Sequence, residues 1–410
     1  MRKQILVIDF VTPKRKNTLL TAKNLGLSIA LAAKSLPEEI AEYVDRFIEV
    51  DTEDTNALLE VLEAEHKIKK FDGVISFWDR YVEPCALIAE KLGLPGNTVD
   101  TAIKTRSKFM TRISLAEQAV PQPRFRIVKS LDDLISAAKY IGFPFIFKPV
   151  GACSSRGIFK IESGHNLVEI YQQMLEVSNN PDDKMFKFYE GEFLAEEYMQ
   201  GPEFSVEGVA SFGVIHIAGI TEKWTTENNF TEKQHLFPAR LEESQQAAIL
   251  DVATRALTAI DYRQGAFHVE LMLTSEGPKI VEINGRLGGD FITTHLLPLA
   301  QGIDISACSF LAALGEEIDL SKKLDNHATV KFLIAETEGV LSAWSGCEEA
   351  LAVKGVQELF IERKEGASVT LPPKKYGEFR LAAVIVQAER SCDALAQADM
   401  AINYLAPSIV

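Results

Sequence analysis

Cysteine is scarce in this 410-residue chain: Cys85, Cys153, Cys308, Cys347 and Cys392 stand far apart and are odd in number. That excludes a disulfide framework and a paired-thiolate zinc site, and it favours a reducing, cytoplasmic setting. Positive charge is also short, with 43 Lys and Arg against 58 Asp and Glu, a net charge of −15. Such a surface repels a phosphate backbone, so no nucleic-acid partner is expected, and an anionic small molecule would need a locally basic pocket. No apolar run reaches the ~18 residues of a membrane span, so neither a span nor a signal peptide is read, and no membrane partner is expected. Two nucleotide signatures are missing as well. The first strand leads into Val11-Thr12-Pro13-Lys14 rather than G-x-G-x-x-G, and no G-K-[ST] follows the small-residue loop at 151–157.

What is present is ordinary globular material, 47% hydrophobic and 25% charged. At ~150 residues per domain the length suggests roughly three domains. The opening third reads as alternating strands and helices: strands at 5–8, 47–50 and 73–77, helices at 26–34, 56–65 and 82–92. This rhythm predicts a small parallel sheet covered by helices, and Leu94-Pro95-Gly96-Asn97 marks its end. A helix over 104–118, a strand at 124–128, a helix at 131–140 and a strand into Lys148 follow. From Phe193 the chain reads as strands at 193–198, 203–210, 214–221, 267–273 and 279–284, with a helix at 243–260 between them. The tail carries strands near 330–334 and 381–387 and a last helix near 392–402.

The strongest chemical signal is Glu270 with Glu282-Ile283-Asn284. A turn at 274–278 makes their strands a hairpin, in which alternation puts Glu282 and Asn284 on one face and pairing puts Glu270 opposite. Oxygen donors converging in an apolar surround suit Mg²⁺ or Mn²⁺. Removing one carboxylate is then expected to relieve repulsion in the metal-free protein. His268 is expected on the face opposite Glu270 and to be structural. Arg286, two residues past Asn284, is placed to grip phosphate or carboxylate oxygens, and Gly288-Gly289 lets backbone N–H groups approach an oxyanion.

Lys148 lies in an apolar strand, where an ammonium needs an anion, and the loop 151–157 offers Ser154, Ser155, Arg156 and Gly157 to a phosphate. Glu196-Glu197-Tyr198-Met199 is a strand-ending connector whose backbone suits an adenine, with Glu203 reaching ribose hydroxyls; bare, it is only strand-turn-strand.

In order and spacing, Lys108, Lys148, the loop 151–157, Glu196 to Met199, Glu203 and Glu270…Glu282-x-Asn284-x-Arg286 resemble the ATP-grasp superfamily over about residues 100–310. Within it, His235-Leu236-Phe237-Pro238-Ala239 and Asn284 to Asp290 are most similar to the bacterial L-amino acid ligases, which make dipeptides. The resemblance implies an α/β (α+β) ATP-grasp fold with an N-terminal Rossmann-like parallel-sheet domain and a C-terminal strand-containing extension. It implies an N-terminal substrate domain at 1–98, a small lobe at 99–195, a large lobe with the metal site at 196–310 and the extension at 311–410. The implied activity is an ATP-dependent carboxylate–amine ligase forming a carbon–nitrogen bond through an acylphosphate. Lys108 and Lys148 would hold phosphates, and Glu270, Glu282 and Asn284 two Mg²⁺ (or Mn²⁺) ions. Arg286, His235, Gly288 and Gly289 would serve the acyl centre, with amino acids or another carboxylate and amine as substrates and a homodimer as the assembly. Lys223, Asp79 and Glu83 are further pocket candidates; for the last two, an acid-rich helix N-terminus explains them equally well. An ATP-grasp ligase with another acceptor and a silent ATP-binding module are the competing readings.

Overall fold

Uninterrupted apolar runs build the first layer. β1 (Gln4–Ile8), β2 (Ser28–Ala33), β3 (Arg46–Glu49) and β4 (Gly73–Ile75) form a parallel sheet in the order β3-β2-β1-β4. Every residue of β1 and β2 is buried, as expected where helices cover both faces. These helices are α1 (Lys16–Asn24), α2 (Thr55–Ile68) and α3 (Val82–Leu92). The computed structural model describes all residues except Met1, 10–15, Ser154, 181–183, Asn228, Pro373 and Tyr376. Ser154 and the segment 11–14, both singled out from the sequence, therefore lie outside the described residues.

One element differs in kind from the sequence reading. Residues 26–34, expected as a helix, contain the strand β2. Its six residues have no polar face, and a short run buried on both sides carries no periodicity to separate strand from helix. Gly26, at φ +75°, instead terminates α1, a left-handed position that glycine adopts without strain. The single helix expected over 104–118 is likewise two, α4 (Val99–Arg106) and α5 (Lys108–Glu117). Ser107 separates them and caps α5 by accepting from Met110 N.

A second, antiparallel sheet is made of β5 (Phe125–Val128), β6 (Phe145–Pro149), β7 (Phe159–Ile161) and β8 (Phe193–Glu197), ordered β5-β8-β6-β7. The helices α6 (Leu131–Ile141) and α7 (Leu167–Ser178) bury Leu134 and Met174 in one core with Phe145, Phe147 and Phe193 of this sheet.

The largest sheet has eight strands. Its early members are β9 (Glu203–Ser211), β10 (Val214–Thr225), β11 (Glu232–Phe237), β12 (Gly265–Thr274) and β13 (Gly277–Asn284), crossed by α8 (Glu243–Ala259). After α9 (Leu297–Gln301) and α10 (Ile305–Ala313) come β14 (His327–Ile334), β15 (Gly339–Ser345), α11 (Cys347–Ala352) and β16 (Val356–Ile361). The chain finishes with β17 (Ser368–Val369), β18 (Arg380–Ala388), α12 (Ser391–Tyr404) and β19 (Ala406–Ile409). The order β13-β12-β9-β10-β11-β14-β18-β16 carries the C-terminal strands into the same sheet as the metal-candidate hairpin. A small sheet, β17-β15-β19, sits beside it. One core cluster runs from Ile5 and Val7 of β1 through Phe310 of α10 to Val209, Val330 and Ile385 of the large sheet. Mostly apolar, with Ser306 and Ser309 buried as well, α10 packs between the parallel sheet and the eight-stranded one. Among the described residues no single helix is long and apolar enough to cross a membrane.

Candidate active site

The hairpin β12–β13 pairs Glu270 with Glu282 and His268 with Asn284, and β9 adds Ser205 opposite Glu270 and Glu207 opposite His268. Directly opposed residues share a face, so these six side chains form one polar surface. The alternate residues Val206, Val269, Leu271 and Ile283 face the other way, into the core beneath α8. His268 is thus a correction to the expectation: two residues from Glu270, it shares that residue's face. Its Nδ1 lies 2.8 Å from Glu207 Oε1 and its Nε2 3.0 Å from Glu270 Oε1. Burial alone would lower its pKa; Glu207 and Glu270 outweigh that and lift it to about 9.

Glu270 and Glu282 turn to different lysines. Lys223, from β10, is buried with Nζ 2.8 Å from Glu270, 2.9 Å from Glu203 and 2.9 Å from Glu232. Oxygens of those three carboxylates lie within 4.8 Å of one another. The Lys223 ammonium thus stands where positive charge is needed, and its pKa is raised: burial opposes protonation, but three acids overcome it. Glu282 takes Lys108, whose Nζ is 2.9 Å away and also donates to the Ala152 carbonyl. This set of hard oxygen donors, already collecting two ammonium groups, fits a hard divalent cation.

Lys148 also has its anion, but a protein one. Its Nζ is 2.6 Å from Glu196, which accepts from Arg112 Nε at 2.6 Å; Arg112 Nη2 reaches the carbonyl of Val281 at 2.7 Å. Burial works against ionising Glu196, yet Arg112 and Lys148 hold its pKa at about 2. Glu196, expected at the adenine hinge through the backbone, therefore commits its side chain to this buried triad. Glu197 accepts from Arg124, and the Tyr198 ring lies 4.5 Å beneath the Lys160 ammonium. Lys108, Lys148, Ser155, Arg156 and Glu282 line one small cavity that opens to solvent. The loop beside it needs its first glycine, because a Cβ on Gly151 would lie 2.4 Å from the Phe188 carbonyl oxygen. Ser155, at φ +57°, donates to the Phe230 carbonyl, and Met199 is half-buried beyond β8.

Arg286 is set against the N-terminal domain. Its Nε is 2.8 Å from Asp79 Oδ2, and its Nη1 donates to the Leu287 carbonyl. Asp79 is buried; the burial that would raise its pKa is outweighed by Arg286 and Arg106. Asp79 thus serves as a counter-ion, while Glu83 accepts from Tyr189 Oη. Gly288 packs so closely that a Cβ would lie 2.7 Å from Glu207 Oε2, whereas Gly289 has open space. His235 pairs in register with Lys223 and is buried, its Nε2 3.8 Å from both Glu232 and Asp290.

Sequence reasoning missed Arg112, Glu207 and Glu232. A usable signal existed for two of them. Arg112 follows Lys108 by four residues on one helix face, and Glu207 continues the period-two line of Glu203 and Ser205. Glu232 had none, because β11 was not read as a strand.

Three segments match known domain families: an ATP-grasp N-terminal domain at residues 19–96, an ATP-grasp domain at 141–295, and L-amino acid ligase C-terminal domain 2 at 331–409. An uncharacterized protein, y4rH, of Sinorhizobium fredii is 29% identical over 90% of this chain and 76% of its own length. Carnosine synthase 1 of Mus musculus is 26% identical over 76% of this chain, which spans only 40% of that larger protein. The crystal structure of L-amino acid ligase from Bacillus licheniformis superposes with a TM-score of 0.85 at 22% identity, covering 100% of this chain and 99% of that one.

Proposed function

The chain belongs to the ATP-grasp superfamily, and from that premise we propose that it is an ATP-dependent carboxylate–amine ligase joining two amino acids into a dipeptide. The observation that carries this reading is the pair of opposed strand carboxylates, Glu270 and Glu282, each gripped by a buried lysine, with Glu282 and its Lys108 also lining a cavity shared with Lys148, Ser155 and Arg156. In such a reaction a carboxylate oxygen attacks the γ-phosphorus of ATP, releasing ADP. An amine then attacks the acyl carbon, and inorganic phosphate departs with the amide formed. Mg²⁺, two ions in this reading, would supply charge neutralisation for the phosphoryl group.

The chain's own residues supply the positioning. Lys108 and Lys148 face the cavity and would hold phosphate oxygens with Ser155 and Arg156. Glu270, Glu282 and Asn284 would hold the metal. Glu203 would take the ribose, next to the backbone of Glu197, Tyr198 and Met199. Arg286, oriented by Asp79, would present its fork to the acyl group, and Gly288 and Gly289 would direct N–H groups toward the oxyanion. His235 would lie beside the acyl site. The sparse, odd-numbered cysteines of the sequence support a reducing cytoplasm, and a homodimer is the proposed assembly.

Phosphate release measured with ATP, Mg²⁺ and pairs of amino acids, with product masses read in parallel, tests the reading. Pair-dependent phosphate with a matching dipeptide mass is expected. Release that depends on bicarbonate, or on a single carboxylate without any amine, would move the chain to another ATP-grasp reaction.

A further inference from the structure

We propose that Arg380, on β18 of the C-terminal segment, is a positioning residue that holds Asp290 and through it the Gly288-Gly289 turn beside His235. This rests on the reading that the turn belongs to the acyl-transfer site.

Arg380 lies 2.7 Å by Nη1 from Asp290 Oδ1 and 3.0 Å by Nε from Glu362 Oε2. Its guanidinium sits 4.1 Å from the centroid of the Phe332 ring. The other Asp290 oxygen, Oδ2, is 3.8 Å from His235 Nε2. One carboxylate thus links an arginine of the C-terminal segment to a histidine on the face of the candidate site.

The backbone shows why the turn needs holding. Asp290 and Phe291 take φ +45° and +66°, two consecutive side-chain-bearing residues in the left-handed region. Residues keep such angles only where their surroundings over-determine them. Here the surroundings are the C-terminal strands. Arg380 fixes Asp290, and the Phe291 ring packs on Phe360 of β16 at 4.5 Å and on Phe332 of β14 at 6.3 Å. At its other end the turn is fixed by Gly288, packed against Glu207 and His268. The turn is therefore clamped between the metal-candidate hairpin and the C-terminal strands, which gives the segment beyond residue 310 a part in the reaction. Lysine could meet Asp290 as a point charge but lacks the planar fork that meets Asp290 and Glu362 together.

The test compares Arg380→Met, Asp290→Asn, the double variant and Arg380→Lys in the full chain. Hydrogen exchange of the amides from Gly288 to Leu296 should speed at least tenfold in each of the first two. The double variant should exchange no faster than either alone, and amides of the β5–β8 sheet should be unchanged. Amide-forming kcat should fall at least tenfold while the Kd for Mg·ADP stays within threefold, and Arg380→Lys should recover part of the loss. Unchanged exchange in Arg380→Met, or losses that add in the double variant, would overturn the proposal. Should Arg380→Met fail to fold, unchanged exchange in Asp290→Asn would overturn it equally. A wild-type protein that releases no phosphate with any amino-acid pair refutes the ligase reading, while the exchange comparison still decides the role of Arg380.

Discussion

Glu282 and Arg286 each carry a prediction that the structure altered or sharpened. From the sequence, removing Glu282 should leave the melting of the metal-free protein unchanged or slightly raised, because it relieves acid–acid repulsion. In the structure Glu282 is the partner of Lys108, which is only 8% exposed. Glu282→Ala therefore leaves a buried ammonium with the Ala152 carbonyl but no counter-ion, and a cost of about 2 kcal/mol is expected. Thermal melting without Mg²⁺ should show a lower Tm, alongside loss of phosphate release; an unchanged or raised Tm would mean that the Lys108 contact contributes nothing. Arg286→Lys keeps the charge but loses the fork that meets Asp79 and, in the proposed site, would meet the acyl group as well. A charge-assisted fork is worth on the order of 3 kcal/mol, roughly a hundredfold in rate. Steady-state kinetics should show that loss in kcat, with little change in Mg·ADP affinity. Near wild-type kcat would place Arg286 at the periphery.

At the scale of elements, one tight constraint near the candidate site is where the turn after β13 meets β9. A methyl group at Gly288 has to displace Glu207 or His268, both buried and hydrogen-bonded to each other. Gly288→Ala should cost about 1–3 kcal/mol in denaturant unfolding, as overpacking of a filled site does. Gly289→Ala, with open space at its Cβ, should be nearly neutral in the same experiment. Equal effects would show that the turn is not packed against the hairpin. The hairpin itself was readable from sequence, since a turn between two alternating strands fixes which side chains oppose one another. The strand β2 was not, because burial on both faces erases the pattern. Nor was β11, the strand that brings Glu232 and His235 beside Lys223.

Across the whole molecule, Arg112 ties two sheets together. It bonds to Glu196 in the four-stranded sheet and to the Val281 carbonyl next to Glu282 in the eight-stranded one. Glu196 drops from a carboxylate pKa of 4.5 to about 2, so it binds fewer protons folded than unfolded in that interval. Its contribution, about 3 kcal/mol, is full above pH 4.5 and is lost as pH falls toward 2. Urea unfolding followed between pH 5 and 2 should show that decline, and Glu196→Gln should flatten it; an equally steep decline in Glu196→Gln would assign the acid sensitivity elsewhere. The sheet order carries a second whole-molecule prediction. Because β14 lies between β11 and β18, and Val330 shares a core with Val7 and Phe310, a chain ending at residue 310 would open that core. Such a truncation should show no cooperative thermal melt. A cooperative melt would make the C-terminal segment a separable unit.

The sequence by itself determined the chemistry available: oxygen donors at fixed strand spacing, lysines in apolar runs, glycines where a backbone must come close. Each of these is a local cost or a local geometry, so it leaves a mark on neighbouring residues. Only the tertiary structure decided the partners. Lys148 with Glu196, Lys108 with Glu282, Lys223 with three acids, and Arg286 with Asp79 join residues up to 207 positions apart. Coulombic attraction depends on distance in space and on burial, and neither is written in spacing along a strand. The same holds for the left-handed turn at Asp290 and Phe291, which nothing near it in the chain requires and which strands some 40 to 90 residues later hold in place.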